Sequence, residues 1–121
     1  MKSKIALIED NPDNQMLVVA LLEDDYDIEV FDDGVQALPR LIESPPDLIL
    51  LDISLPQLSG VEVLEQIRAD DRIARLPVIA LTAHAMAGDK ERFLSQGFDA
   101  FVSKPIVDEE HLFTEIGKLL V

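Results

Sequence analysis

The residues of this sequence that are best suited to chemistry are polar side chains that directly follow short apolar runs. They are the adjacent carboxylates Glu9 and Asp10, the carboxylate of Asp52, the hydroxyl of Thr82 and the ammonium group of Lys104. If these groups meet, three carboxylates face one ammonium, and each pair of like charges ~4 Å apart is unfavourable by about 4 kcal/mol at an effective dielectric constant near 20. A hard divalent cation would neutralise such a site, and oxygen ligands without histidine or cysteine favour Mg²⁺.

A magnesium ion held by Asp10 and Asp52 would keep open positions that a phosphoryl group can occupy. Asp52 would then be a carboxylate nucleophile for a phosphoryl donor, and the product would be an aspartyl phosphate. Lys104 would hold the phosphoryl oxygens, and the Thr82 hydroxyl would hydrogen-bond another of them. The pattern therefore predicts phosphoryl transfer to Asp52, with Thr82 and Lys104 as its partners in the chemistry.

Five short apolar runs must position these side chains. Their apolarity is continuous rather than alternating, which is typical of parallel strands covered on both faces. Glu29 interrupts the second run, as expected for a strand at the edge of the sheet. The runs comprise residues 5–8, 28–31, 48–51, 78–81 and 100–102.

Segments of helical period alternate with these runs. The first segment begins with Asn11 as its N-cap and Pro12 in the first helical position, and the second follows Asp33. The third begins with a capping box between Ser59 and Glu62, and its apolar residues Val61, Leu64 and Ile67 should point inward. The fourth extends from about residue 87 to 96 and ends at Gly97, and the fifth starts at the acidic residues 108–110.

Five strands alternating with five helices predict an α/β fold. The expected architecture is a doubly wound, five-stranded parallel sheet of order 2-1-3-4-5, with helices on both faces. Residues 1–121 should form one domain, and a ligand should bind beyond the carboxyl ends of the strands, at the switch between strands 1 and 3. Pro39 conflicts with its predicted helix, so that helix should either start late or be kinked.

Composition excludes several classes of protein. The chain has 121 residues, no cysteine, 24 acidic and 10 basic side chains, and a formal net charge of −14. The lack of cysteine excludes disulfides and thiolate metal sites. Because the surface repels phosphate backbones, nucleic-acid binding is not expected. The apolar runs are too short to cross a membrane and the N-terminus does not resemble a signal peptide, so a cytoplasmic protein is expected.

Four sequence motifs occur in the order and at the spacing of one known protein family. The sequence resembles the receiver domain of response regulators in two-component signalling, with its flavodoxin-like, CheY-like fold, over essentially its whole length. The matching segments are residues 8–11, 50–60, 81–83 and 104–105. The resemblance implies that Asp52 is the phosphoacceptor and that Glu9, Asp10, Asp52 and the backbone carbonyl of Ser54 surround Mg²⁺. It also implies that Thr82 is the switch hydroxyl, and that the peptide bond between Lys104 and Pro105 is cis.

The resemblance also marks Phe101 as the aromatic side chain that turns inward on activation, and plain core packing is the alternative for this residue. Movement of Thr82 toward a phosphoryl group would leave space that Phe101 fills, which would reshape the face formed by helix 4, strand 5 and helix 5. Helix 4 has few apolar anchors, mainly Phe93 and Leu94, so its surroundings should be soft. For His84, a solvent-facing position without a role is favoured, and a position flanking the phosphoryl site is the alternative.

The predicted partners are a histidine kinase or a histidine phosphotransfer protein as donor, and a protein target downstream. Val18, Val19 and Leu22 of the first helix should leave an apolar patch beside the acidic site where the donor docks, with a crowded core or a contact between copies as the alternatives. The chain would itself be no enzyme beyond its own phosphorylation and dephosphorylation.

A free-standing single-domain regulator is favoured because Met1 lies just before the first strand, and the receiver module of a hybrid histidine kinase is the alternative. Two other classes fit less well. An aspartate-nucleophile phosphatase would need a second aspartate where Ser54 stands. A flavin-binding protein would need a hydroxyl- or glycine-rich phosphate loop after the first strand, where this chain has the acidic residues 9–13. A receiver that serves only as a scaffold is disfavoured by the intact set of pocket residues.

Overall fold

The computed structural model describes residues 2–83, 89–104 and 109–120. The expected cis bond before Pro105, the position of His84, and the predicted helix starts at about residue 87 and at residue 108 lie outside these residues.

All five strands lie in one parallel sheet. The strands are β1 (Lys4–Ile8), β2 (Asp27–Phe31), β3 (Leu48–Asp52), β4 (Val78–Thr82) and β5 (Ala100–Ser103), and their order is β2-β1-β3-β4-β5. The predicted order is confirmed. Burial agrees with this order. β3 and β4 are buried along their whole length, whereas β2 is partly exposed at the edge of the sheet.

Five helices connect or follow the strands. They are α1 (Pro12–Leu22), α2 (Gly34–Glu43), α3 (Gly60–Ala69), α4 (Asp89–Gln96) and α5 (Glu109–Leu119). One apolar core between the sheet and α2, α3 and α4 contains Leu64, Ile67 and Phe93. A second core, on the other face of the sheet beneath α1 and α5, contains Leu22, Leu112 and Ile116. The sheet is therefore covered on both faces, as continuous apolar strands require.

The helix starts follow the predicted caps. The Asn11 side chain accepts hydrogen bonds from the backbone N–H groups of Asp13 and Asn14, and the Ser59–Glu62 capping box is complete. The Asp33 side chain caps α2, which begins at Gly34 and includes Pro39, so the helix does not start late. Gly97 has a φ of 111° and ends α4, as expected for a left-handed C-terminal residue.

The predicted apolar patch on α1 is wrong for Val18 and Leu22 and correct for Val19, which is partly exposed. Val18 and Leu22 are buried in the core beneath α1, whereas Met16 is 71% exposed and Leu17 is 36% exposed. The reason is that α1 is apolar almost all round, so its sequence does not show which side faces the sheet.

Two smaller predictions are also corrected. Val63 of α3 is buried and Val61 only partly buried, and Leu94 of α4 is exposed rather than an anchor, which leaves Phe93 as the buried apolar side chain of that helix. Within the described residues, no helix is long and apolar enough to cross a membrane.

Candidate functional site

The carboxyl ends of β1, β3, β4 and β5 bring the predicted polar residues to one edge of the sheet. Glu9 and Asp10 directly follow β1, Asp52 ends β3, Thr82 ends β4 and Lys104 follows β5. Parallel pairing fixes this convergence, because Ile8 pairs with Leu51, and Asp52 pairs with Leu81. The five side chains thus come from four separate stretches of the chain.

Lys104 joins two buried carboxylates across this edge. Its Nζ lies 3.0 Å from Oδ2 of Asp52 and 3.1 Å from Oε2 of Glu9. Glu9 is completely buried and Asp52 is 2% exposed. The lysine stem crosses the width of β4 to reach them, since β4 lies between β3 and β5.

Three carboxylates at the site are close enough to share one small cation. Glu9, Asp10 and Asp52 each offer an oxygen, and these oxygens all lie within 4.8 Å of one another. Asp10 is exposed, so the cluster opens to solvent on one side. Oxygen donors, a partly solvated position and a carboxylate charge that Lys104 only partly neutralises fit Mg²⁺, which usually retains several waters in proteins.

Burial and like charge shape the protonation of this cluster. Burial raises the pKa of Glu9, the nearby Asp52 carboxylate raises it further, and the hydrogen bond from Lys104 opposes both effects. Burial of Lys104 by itself would lower the pKa of that ammonium group, but its hydrogen bonds to Asp52 and Glu9 outweigh this effect and the pKa is raised. Lys104 is therefore a firmly charged cation between two carboxylates.

The segment between β3 and α3 packs closely against Asp52. The backbone N–H of Ser54 donates a hydrogen bond to Oδ1 of Asp52 at 3.1 Å, and the N–H of Gly60 donates to the carbonyl of Ile53 at 2.9 Å. A Cβ at position 60 would lie 2.4 Å from the carbonyl oxygen of Asp52. Glycine is thus required by a close backbone approach, and the turn also contains Gln57 with a φ of 65°.

Sequence reasoning missed the contribution of Gln15. Its Nε2 donates hydrogen bonds to the backbone carbonyl of Glu9 at 2.5 Å and to Oδ1 of Asp32 at 2.8 Å. The Asn11 N–H also donates to Oε1 of Glu9 at 3.1 Å. These bonds fix the turn that carries both acidic residues. The available signal was a polar residue directly before the apolar stretch of α1 that begins at Met16.

Thr82 lies at the end of β4, at the same edge of the sheet as Asp52, and Phe101 lies on β5. Thr82 is 6% exposed at the end of β4, and its carbonyl accepts a hydrogen bond from the Lys104 N–H at 2.7 Å. Phe101 is half-buried, and its ring centroid lies 5.9 Å from that of Phe93. A cavity of about 400 Å³ adjoins Phe101 between α4, β5 and α5, with Leu94 and His111 in its lining.

A protein-family comparison matches residues 5–117 to the response regulator receiver domain. The polar-differentiation response regulator DivK of Brucella anthropi is 43% identical over 107 residues, covering 88% of this chain and 87% of DivK. The signal transduction histidine-protein kinase BarA of Escherichia coli K12 is 43% identical over 113 residues, covering 89% of this chain and 12% of BarA.

A solved structure gives the same result. The receiver domain of the sensor histidine kinase PA1611 from Pseudomonas aeruginosa PAO1 is 35% identical with a TM-score of 0.89, and the match covers 99% of this chain and 98% of that one. That receiver was crystallised with a magnesium ion coordinated in its active-site cleft. Receiver domains are in general non-enzymatic phosphoacceptors that work with histidine kinases or phosphotransfer proteins. On its sequence, its fold and its converging acidic site, this chain belongs to the family of response regulator receiver domains of two-component systems.

Proposed function

We propose that Asp52 accepts a phosphoryl group from a phosphohistidine and that this modification switches the protein contacts of the chain. The observation that carries the proposal is the convergence on Asp52 of a lysine ammonium at 3.0 Å and of two further carboxylates within 4.8 Å. A strand-end carboxylate is unremarkable alone, but this surrounding set matches what phosphoryl transfer to a carboxylate needs.

The reaction is a transfer between two nucleophiles. A carboxylate oxygen of Asp52 attacks the phosphorus of the phosphohistidine, an O–P bond forms and the N–P bond breaks. The imidazole leaves with the electron pair of that bond and takes up a proton. The product is a mixed anhydride that adds negative charge to a site already rich in carboxylate.

Glu9, Asp10 and Asp52, together with the backbone carbonyl of Ser54, are the residues that would hold Mg²⁺. When bound, this ion supplies positive charge that screens the phosphoryl oxygens from the carboxylates. Lys104 moves its contact from the Asp52 carboxylate to a phosphoryl oxygen, which keeps its charge at the site. The Thr82 hydroxyl, at the end of the neighbouring strand, donates to another phosphoryl oxygen.

Movement of Thr82 supplies the switch. As its side chain turns toward the phosphoryl group, Phe101 on the adjoining strand packs further inward beside Phe93. The cavity next to Phe101 then changes shape, and with it the surface formed by α4, β5 and α5. This is a population shift between two packings that phosphorylation biases, and a downstream protein reads it at that surface.

The same chemistry serves a free-standing regulator and the receiver module of a hybrid kinase, and the relatives include one of each kind. We infer one receiver domain over residues 1–121, since both cores share one sheet. Its own phosphorylation and dephosphorylation are the reactions it supports, so it is not a turnover enzyme. Because histidine kinases draw on ATP, a partner of this kind supports a location of the chain in the cytoplasm.

Incubation with acetyl phosphate and Mg²⁺, followed by mass measurement of the intact protein, tests this proposal. The wild-type chain should gain one phosphoryl group, and Asp52→Asn should gain none. Asp71→Asn, which removes an exposed carboxylate between α3 and β4, is the matched control and should behave like the wild type. Equal gain by Asp52→Asn, or hydrolysis of a phosphate ester with turnover, would overturn the assignment.

A further inference from the structure

An apolar stripe on α1 faces solvent at the edge of the sheet. Met16 is 71% exposed, Val19 is partly exposed and Ala20 is exposed, at the i, i+3, i+4 spacing that places residues on one helix face. Val30 of the edge strand β2 is 36% exposed and continues the stripe. Together with Gln15 and Glu23 they line a shallow groove of about 350 Å³, called here the α1–β2 groove.

The fold does not require this groove to be apolar. α1 already buries Val18 and Leu22 against the sheet, and the stripe lies on a different side of the helix. It is also separate from Leu17, which lines a small pocket together with Glu9 and Lys104. Contiguous exposed apolar surface with a polar rim is typical of an interaction site.

The rim of the α1–β2 groove is acidic. Glu23 lines one end, and at the other end Gln15 donates a hydrogen bond at 2.8 Å to the carboxylate of Asp32. Asp13 lies one helical turn before Met16 and is exposed. The Nζ of Lys2 donates a hydrogen bond at 3.0 Å to the backbone carbonyl of Glu23, and its positive charge offsets part of the negative charge of the rim.

We propose that the α1–β2 groove docks a helix of a partner protein that presents an apolar side chain flanked by lysine or arginine. The spacing of the stripe forms a ridge of the kind that packs against another helix. The acidic rim selects basic flanks. A second copy of this chain is a poor occupant, because each copy carries a net charge of −14. The groove is small, so the complex is a transient one.

The test uses the unphosphorylated protein, so its outcome is independent of the function proposed for Asp52. A synthetic amphipathic peptide, with leucines on one helical face and lysines beside them, is titrated into ¹⁵N-labelled protein at physiological salt. The expected result is a set of amide shift changes confined to α1 and β2. Met16→Ser combined with Val30→Thr keeps the net charge and should weaken binding about tenfold.

Val35→Ser is the matched control. Val35 is 51% exposed on α2, on the other face of the sheet, and its replacement should leave the affinity within about twofold. A peptide with glutamate in place of lysine should not bind. The proposal is overturned if the control variant loses as much affinity as the double variant, if the glutamate peptide binds equally, or if the shift changes spread over the whole acidic surface. It is also overturned if sedimentation shows a dimer that the double variant abolishes.

Discussion

The Nζ of Lys104 lies 3.0 Å from Oδ2 of Asp52. Lys104 follows β5 and Asp52 ends β3, and these two strands are not neighbours in the sheet. The lysine reaches across β4, and it also contacts the buried carboxylate of Glu9 at 3.1 Å. This single cation therefore compensates two buried anions. The stability of the fold and the chemistry of the site depend on the same contact.

Removal of that cation should destabilise the protein. Lys104→Met leaves Glu9 and Asp52 buried without their ion pair, so we expect the free energy of unfolding at pH 7 to fall by about 2 kcal/mol. Urea unfolding in the presence of EDTA measures this change in the free energy of unfolding. Lys118→Met, at an exposed pair with Glu115, is the control and should change stability by less than about 0.5 kcal/mol. If Lys104→Met were as stable as the wild type, the buried carboxylates would not need this partner.

The raised pKa of Glu9 predicts a specific pH dependence. Burial and then the Asp52 charge favour the protonated form in the folded state. The stability that this proton contributes is fully present below the ordinary glutamate pKa of 4.5 and is lost as the pH rises through the folded-state pKa. Glu9→Gln does not titrate, so in EDTA its stability relative to the wild type should increase as the pH rises from 4.5.

Unfolding of both proteins over a range of pH checks this expectation. Glu65→Gln, which alters an exposed carboxylate of α3, is the control and should show a nearly constant difference. If the stability of Glu9→Gln relative to the wild type fell as the pH rose, the Glu9 pKa would be lowered rather than raised in the folded state.

The hydrogen bonds of Gln15 should matter for metal binding. Gln15→Met removes the donor that fixes the carbonyl of Glu9 and the carboxylate of Asp32, so the turn that carries Glu9 and Asp10 becomes less ordered. We expect the affinity for Mg²⁺ to fall about tenfold, as for other residues that orient metal ligands. Isothermal titration with MgCl₂ measures the change. Gln36→Met, which removes a surface glutamine that bonds Asp33, should leave the affinity unaltered, and an equal loss in both variants would refute the role.

The two glycines at positions 60 and 117 should respond to alanine in opposite ways. A Cβ at Gly60 would lie 2.4 Å from the carbonyl oxygen of Asp52, so Gly60→Ala must displace backbone and should destabilise by at least about 2 kcal/mol. Among the described residues, no atom lies within 4 Å of a Cβ at Gly117 in α5, so Gly117→Ala should stabilise by about 0.5–1 kcal/mol. Thermal unfolding distinguishes the two, and a neutral Gly60→Ala would mean that the approach to Asp52 is looser than observed.

Much of the fold followed from the sequence because its signals were strong and local. Continuous apolarity identified the buried strands, Glu29 marked the edge strand, and side-chain caps marked the first turns of α1 and α3. Strand order then placed Asp52 and Lys104 at one edge of the sheet. This inference needed only parallel topology and the length of a lysine side chain.

Other features depend on contacts that no local pattern records. Residues 16–22 of α1 are apolar on all sides of the helix, so only packing decides that Val18 is buried and Met16 exposed. Gln15 acts by reaching back to Glu9 and across to Asp32, which are brought together by the pairing of β1 with β2. The need for glycine at position 60 arises from the return of the chain toward Asp52.

The proposed function requires Asp52 to carry an acyl phosphate, and chemical trapping tests this directly. Borohydride reduces an aspartyl phosphate to homoserine, which peptide mapping by mass spectrometry locates. After phosphorylation with acetyl phosphate and Mg²⁺, homoserine should occur at position 52, and EDTA should prevent its formation. Homoserine at position 10 or at another carboxylate, or labelling that persists without a divalent cation, would contradict the account.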